Sequence, residues 1–406
     1  MKNLHVFTNK FPFVNSGEDT FLIPEMTFLS REFNIIFYVK KRSEILENLS
    51  FKYEICNNFR YVKKNKTRLS FTLIKLMIKE FFYNPRIILS ISDVKELMVV
   101  LSDNIENSNT FSKYLKSKTF NLNQDFFYTY WFDEWNNILC ITKLQNSYFE
   151  KFKLISRAHG FDLYNYRSKF NKIPFRANQL KFTDKIVAVS YDGFKYLKKN
   201  HKSFADKFRY NRLGTNFVDF NPHINSNTLV VVSCSSIVEI KRIDRIVNLL
   251  SLLKINVEWY HFGNGPSFEE IKASTKILKK NISVNFMGQL PNFEVLKFYC
   301  KTPINLFINL SDHEGVPVSI MEAISFSIPV IATNVGGVSE IVNKQTGLLF
   351  DKDLDLNEIA MILDDFPKHE IFSSKFRNKV YDFWKNNYDT SLNTKSFSNI
   401  ITDTNN

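Results

Sequence analysis

Glu314 and Glu322 stand with seven residues between them in the segment SDHEGVPVSIMEAISFSIPVIATNVGGVSEIV, residues 311–342. Pro317 suits the first turn of a helix, which puts Glu314 in the preceding loop and Glu322 in the second turn. Eight positions at about 1.5 Å each separate them by roughly 12 Å, too far for joint acid and base work on one bond. A nucleotide sugar is long enough to meet both. One carboxylate would take hydroxyls of a transferred sugar and the other the ribose diol, with helix N-terminal amides between them facing the diphosphate. Two glutamates at this spacing, with no other context, are more often solvated helix residues.

The elements that must hold such residues are strands and helices in alternation. Asn34–Val39, 125–132, Lys153–Ser156 and Lys185–Ser190 read as strands in the first half. Thr228–Ser233, Val257–Phe262, Val284–Met287, Ile304–Ile308 and Pro329–Ala332 read as buried parallel strands in the second. Amphipathic helices are expected near 243–254, 267–279, 293–301, 317–326 and 337–343. This alternation predicts an α/β protein of two doubly wound, Rossmann-like domains, with ligands outside the carboxyl ends of the strands. The 406 residues are too many for one core. Gly214, Asn216, Pro222 and Asn225–Asn227 place the boundary near 212–227. The expected domains are 1–215 and 216–385, with a C-terminal helix over about 386–406 packing back on the first.

Charge divides the halves. The excess of Lys and Arg is +13 over residues 1–200 and zero over 201–406. An anionic partner for the first half follows. Four cysteines without clustering suggest neither a disulfide framework nor a zinc site, and fit a reducing cytoplasm. The apolar run Leu4–Phe7 is too short for a signal peptide, so no export is expected. No run of 18 apolar residues occurs, so a membrane span is not expected.

The context of the two glutamates carries a resemblance. They follow an apolar strand, sit in Glu314-Gly315-x-Pro317 and Glu322-Ala323, and precede PVIATNVGG and EIV in that order. In this the chain resembles the retaining nucleotide-sugar glycosyltransferases of family 4, which have the GT-B fold of two Rossmann-like domains facing across a cleft. The resemblance extends to FPFVNSGEDTFLIPEMTFLSREFN, where Ser16 and Gly17 would meet the donor diphosphate. It includes YTYW (Tyr128–Trp131) and Arg157–Tyr164, where His159 matches a histidine over the donor sugar. VVVSCSSIVEIKRIDRIVNLL puts Lys241 against the diphosphate, where it would stabilise the leaving group. Ser236 stands where the family has an arginine, and Arg242 is the candidate to supply that charge. His261–Pro266 resembles the family's GxGP turn, and 286–290, with Gly288 and Gln289, its base-binding loop. Gly315, Val316 and Val318 complete the implied donor site. Ser327 replaces a common glycine, and Pro317 lacks an N–H that a glycine would offer.

What the resemblance implies is retaining, metal-independent transfer of a hexose-type sugar from a UDP- or GDP-linked donor, with no cofactor. His159, Lys241 and Glu314 would be catalytic. The acceptor would be a lipid-linked saccharide, polysaccharide or lipopolysaccharide. An epimerase or glycan phosphorylase on the same fold is the alternative. A nucleic-acid binder has only the pI behind it. Lys63, Lys64, Lys66 and Arg68 precede the apolar-rich stretch Leu69–Tyr83, which either lies on an anionic membrane from the cytoplasmic side or packs on the N-terminal sheet.

Overall fold

The computed structural model describes residues 1–403 apart from 15–16, 48, 118–123 and 223–225. The chain forms two compact units, Met1–Arg212 with Thr394–Asn406, and Leu213–Asn393.

The N-terminal unit is built on a seven-stranded parallel sheet, ordered β3-β2-β1-β4-β5-β6-β7. Its strands are β1 (Lys2–Thr8), β2 (Phe33–Val39), β3 (Tyr53–Ile55), β4 (Phe126–Thr129), β5 (Lys153–Ala158), β6 (Lys185–Ala188) and β7 (Phe208–Tyr210). Its helices are α1 (Asp19–Leu29), α2 (Phe71–Tyr83), α3 (Ile91–Lys116), α4 (Glu134–Gln145), α5 (Arg176–Phe182) and α6 (Tyr191–Asn200). Successive side chains go to opposite faces of the sheet. Val6, Phe37, Tyr128 and Ile155 therefore fill one core layer, and Phe7, Tyr38, Phe127 and Leu154 another, with Trp135 and Ile138 of α4. Both layers are apolar because parallel strands are covered on both faces.

The C-terminal unit has a six-stranded parallel sheet, ordered β10-β9-β8-β11-β12-β13. The strands are β8 (Thr228–Cys234), β9 (Asn256–Phe262), β10 (Ile282–Gly288), β11 (Leu306–Asn309), β12 (Val330–Thr333) and β13 (Gly347–Phe350). The helices are α7 (Ile243–Leu252), α8 (Phe268–Ser274), α9 (Asn292–Lys301), α10 (Val318–Ser325), α11 (Leu356–Asp364), α12 (Ser374–Asn387) and α13 (Thr390–Thr402). The last part of α13 belongs to the N-terminal unit, where Phe397 and Ile401 enter the core layer of Val6 and Tyr128. Arg157, at the end of β5, stacks on Phe397 at 3.8 Å and pairs with the buried Glu25 of α1 at 2.5 Å. A buried pair of this kind is costly to break on one side.

Two expectations are corrected. The segment 337–343 holds only a 3-10 turn, Val338–Glu340, because Gly336 takes φ +55° and turns the chain before a helix can start. The stretch Leu69–Tyr83 packs on α3 and not on the sheet, through Leu73, Leu76 and Met77 against Leu97, Leu101 and Ile105.

Candidate active site

In each sheet the strand order reverses once, between β1 and β4 and between β8 and β11. The loops leaving the carboxyl ends of those strands diverge there and open a crevice. Most of the sequence-predicted residues lie on these loops.

In the C-terminal unit, β8 runs into a 3-10 turn, Glu239–Lys241, and β11 into the loop bearing Glu314. Lys241 Nζ lies 2.7 and 2.8 Å from the two carboxylate oxygens of Glu314. Asn309, the last residue of β11, donates its amide to the same carboxylate at 3.1 Å. The Glu314 side chain is 6 % exposed and that of Lys241 25 %, so solvent reaches the pair from the lysine side. The loop is braced from behind. Gly337 N–H donates to Gly315 O at 2.8 Å, and a Cβ on Gly336 would lie 2.1 Å from Glu314 O, so only glycine fits there. Gly315 itself faces open space, while Val316 and Val318 are half-buried beside it.

Arg242 follows in the left-handed region at φ +48° and makes ion pairs with Asp244 at 2.8 Å and Asp312 at 3.1 Å. Its partners are therefore different from those of Lys241. Burial pushes the Asp312 carboxyl up, but Arg242 and Arg245 outweigh it and hold it below the usual range. Ser236 is exposed.

Glu322 lies in the second turn of α10, is buried, and accepts from Asn292 Nδ2 at 2.7 Å. Burial pushes its carboxyl up to about 7, against the pull of the Asn292 bond. The first turn of α10 has no side-chain cap, since Pro317 occupies the cap position. Its free amides give that helix end a partial positive charge. Gly288 ends β10 with φ +69°, accepts from the Gly263 amide at 2.8 Å, and is followed by the exposed Gln289. The turn after β9 presses on the loop after β8: a Cβ on Gly263 would meet Ser235 O at 1.9 Å. His261, buried and bonded to Ser233 at 2.8 Å, is pushed down to about 4 by burial and stays neutral.

In the N-terminal unit the loop after β1 is organised by Glu18. Its buried carboxylate accepts from the amides of Asn9, Lys10 and Phe11 at 3.0, 2.8 and 2.8 Å, and from Trp131 Nε1 at 2.6 Å. The loops after β1 and β4 are thus tied together at the switch point. Gly17 is exposed at φ +67°, with nothing within 4 Å of a Cβ placed there. Ser16 lies outside the described residues. His159 follows β5, with its ring 4.3 Å from Trp131 and 4.8 Å from Tyr130 between centroids. Asp162 takes the His159 backbone amide at 2.7 Å and that of Phe132 at 2.8 Å. Neither ring nitrogen of His159 has a hydrogen-bond partner among the described residues; Nδ1 stays 3.5 Å from Asp162 Oδ2.

The structure brings Lys241 and Glu314 into direct contact, which the sequence did not reveal. It also adds Asn309, Glu18 and Asp162. Each lies within a few residues of a recognised motif, and each is a polar residue buried beside an apolar strand.

Comparison with known proteins bears on this arrangement. Residues 215–383 match the family of glycosyl transferases group 1. N-acetyl-alpha-D-glucosaminyl L-malate synthase of Bacillus anthracis is 23% identical over 252 residues, 57% of this chain and 64% of that protein. The O-antigen biosynthesis glycosyltransferase WbnH of Escherichia coli is 28% identical over 130 residues, 32% of this chain and 36% of its own. The matches thus span less than two-thirds of the length of these relatives. HepE of Anabaena, solved in complex with UDP and glucose, superposes with a TM-score of 0.64 at 14% identity, over 98% of this chain and 99% of that one. That likeness shows the fold: two Rossmann-like units of the GT-B type.

Proposed function

We propose, from the premise that this GT-B chain carries a group 1 glycosyltransferase domain over residues 215–383, that it transfers a hexose-type sugar with retention of anomeric configuration. The donor is a UDP- or GDP-linked sugar, and the acceptor a lipid-linked saccharide or a growing polysaccharide or lipopolysaccharide. The observation that carries this reading is the Lys241–Glu314 pair beside the uncapped start of α10, at the switch point of the C-terminal sheet.

A donor diphosphate at the α10 amides would draw Lys241 Nζ from Glu314 and free that carboxylate to accept sugar hydroxyls. As the bond from C1 to the diphosphate oxygen breaks, the leaving group gains charge that Lys241 and the amides stabilise. The acceptor oxygen then forms its bond to C1 on the face the diphosphate leaves. Its proton passes to a phosphate oxygen, so no protein nucleophile, metal or cofactor enters the reading. The family resemblance assigns Gly17 and Ser16 to the diphosphate, and His159, beside Tyr130 and Trp131, to the transferred sugar. Gly288 and Gln289 border the base, Glu322 takes the ribose diol, and Val316, Val318 and Gly315 line the sugar side. The name of the E. coli relative supports a polysaccharide-type acceptor.

Thermal stabilisation by a panel of nucleotide sugars identifies the donor by mass action. Proton NMR of the product from that donor and a lipid-linked saccharide then reads the anomeric configuration. Retention is expected. Inversion, donor conversion without an acceptor, or sugar phosphate formed from a glycan would each overturn the proposal, the last two in favour of an epimerase or a phosphorylase.

A further inference from the structure

Helix α2 has two apolar faces. At 3.6 residues per turn, Leu73, Leu76, Met77 and Glu80 fall within about 100° and form the buried face against α3. Phe71, Ile74, Ile78 and Phe82 fall within about 80° on nearly the opposite side. These four are 81, 50, 48 and 85 % exposed. The apolar surface continues beyond the helix, where Ile88, Leu89 and Ile91 are 55, 86 and 75 % exposed. A cluster of this kind is more than the scattered exposed hydrophobics of an ordinary surface.

The charge beside the stripe is mostly basic, and the nearest acidic side chains are already paired: Glu106 with Lys64, and Asp93 and Glu96 with Lys169. Every charged side chain between residues 60 and 92 is Lys or Arg except Glu80, and Glu80 is buried. Lys75 and Lys79 lie along one margin of the exposed stripe. Beside it, Phe71, Lys75, Asn109, Ser112 and Lys116 line a cleft of about 480 Å³. Two ammonium groups and two polar side chains suit the phosphate of a lipid headgroup, next to an apolar row that suits acyl chains.

We infer that the outer face of α2 and the turn after it dock on an anionic lipid bilayer, with Phe71, Ile74, Ile78 and Phe82 in the acyl boundary and the lysines at the phosphate level. A second copy of the chain is a poor occupant, because a two-fold contact would set lysine against lysine. The inference rests on this surface alone and stands or falls separately from the transfer reaction.

The test is co-sedimentation of the full chain with vesicles of phosphatidylcholine, and of phosphatidylcholine with phosphatidylglycerol, at about 0.1 M salt, where charge still acts over about 10 Å. Binding is expected only to the phosphatidylglycerol vesicles. The variant Ile78→Glu/Phe82→Glu, which alters only exposed positions, is expected to lower the partition coefficient at least tenfold with an unchanged melting temperature. Lys75→Glu/Lys79→Glu, a second variant that leaves the apolar row intact, should weaken binding and its salt dependence. Equal binding to both vesicle types, no binding, or full binding by both variants overturns the inference. So does sedimentation equilibrium showing a dimer that Ile78→Glu/Phe82→Glu dissolves, which would make the face a contact between copies.

Discussion

The two switch points hold their functional side chains by opposite means. In the C-terminal unit Lys241 and Glu314 satisfy each other, in a contact that a donor would undo under the proposed reading. In the N-terminal unit, Glu18 and Asp162 give their carboxylates to backbone amides, and His159 is left between two aromatic rings, its ring nitrogens without a hydrogen-bond partner among the described residues. The first arrangement stores an exchangeable partner. The second fixes a loop and presents a side chain. A charged group kept paired until the donor arrives avoids the cost of an unpaired buried charge.

The largest effect should come from breaking the exchangeable pair. Lys241→Ala or Glu314→Ala is expected to lower the transfer rate by about 10²–10³, the range for losing a preorganised electrostatic contact. Because the donor parts the two and each then meets a different part of it, the losses in the double variant should come close to multiplying. A double variant no worse than either single one in steady-state rates would mean that the pair stays closed during transfer and the exchange does not occur. On the other side, Asp162→Ala leaves the amides of His159 and Phe132 without their acceptor, and urea melts should show a loss of about 2–3 kcal/mol. His159→Ala should instead leave stability nearly intact and slow transfer; an enzyme indifferent to His159 would reduce the aromatic cage to scaffold.

A pH experiment sharpens the contrast further. Glu322 is raised by burial to about 7, above its ordinary value of 4.5. The folded carboxyl therefore holds a proton the unfolded one releases, and its contribution, present below about pH 4.5, is lost as pH rises through about 7. Glu322→Gln should flatten that slope, gaining up to about 3 kcal/mol at pH 8 relative to wild type, by urea melts at pH 5 and 8. Glu80, raised to about 7 for the same reason, keeps a similar slope in the N-terminal unit. An unchanged slope would show that water reaches Glu322. The smallest effect belongs to Ser327, which sits at φ +63° with its hydroxyl unpaired among the described residues. Ser327→Gly relieves the left-handed conformation and should stabilise by about 0.5–1 kcal/mol, a few degrees in a thermal scan.

Most of the long strands were legible because each is covered on both faces and reads as an apolar run, as in VVVSC before the Lys241 turn, whereas the central β1, Lys2–Thr8, was not read as a strand because Lys2, Asn3 and His5 interrupt its apolar run. β3, β7 and β13 were not, since they are edge strands of three or four residues, too short to show a period. Lys241 and Glu314 were each identifiable from their neighbours. Their contact was not, because 73 residues separate them and only the pairing of β8 with β11 joins them. Glu18 was hidden differently. It stands where a helix cap is expected, yet its carboxylate turns back to three amides of the preceding loop, a choice that local sequence does not encode.

The end of α13 has a consequence for synthesis. The core layer that begins with Leu4 and Val6 is closed by Phe397 and Ile401, while residues 213–393 belong to the other unit. At about 5–20 residues per second, a ribosome needs roughly 10–40 s to travel from Arg212 to Phe397. Through that interval the nascent N-terminal unit has all its strands but an uncovered patch around Tyr128 and Arg157, where Phe397 will stack. The C-terminal unit can complete its sheet during the same wait. The half made first is therefore the half finished last, with apolar surface exposed while it waits.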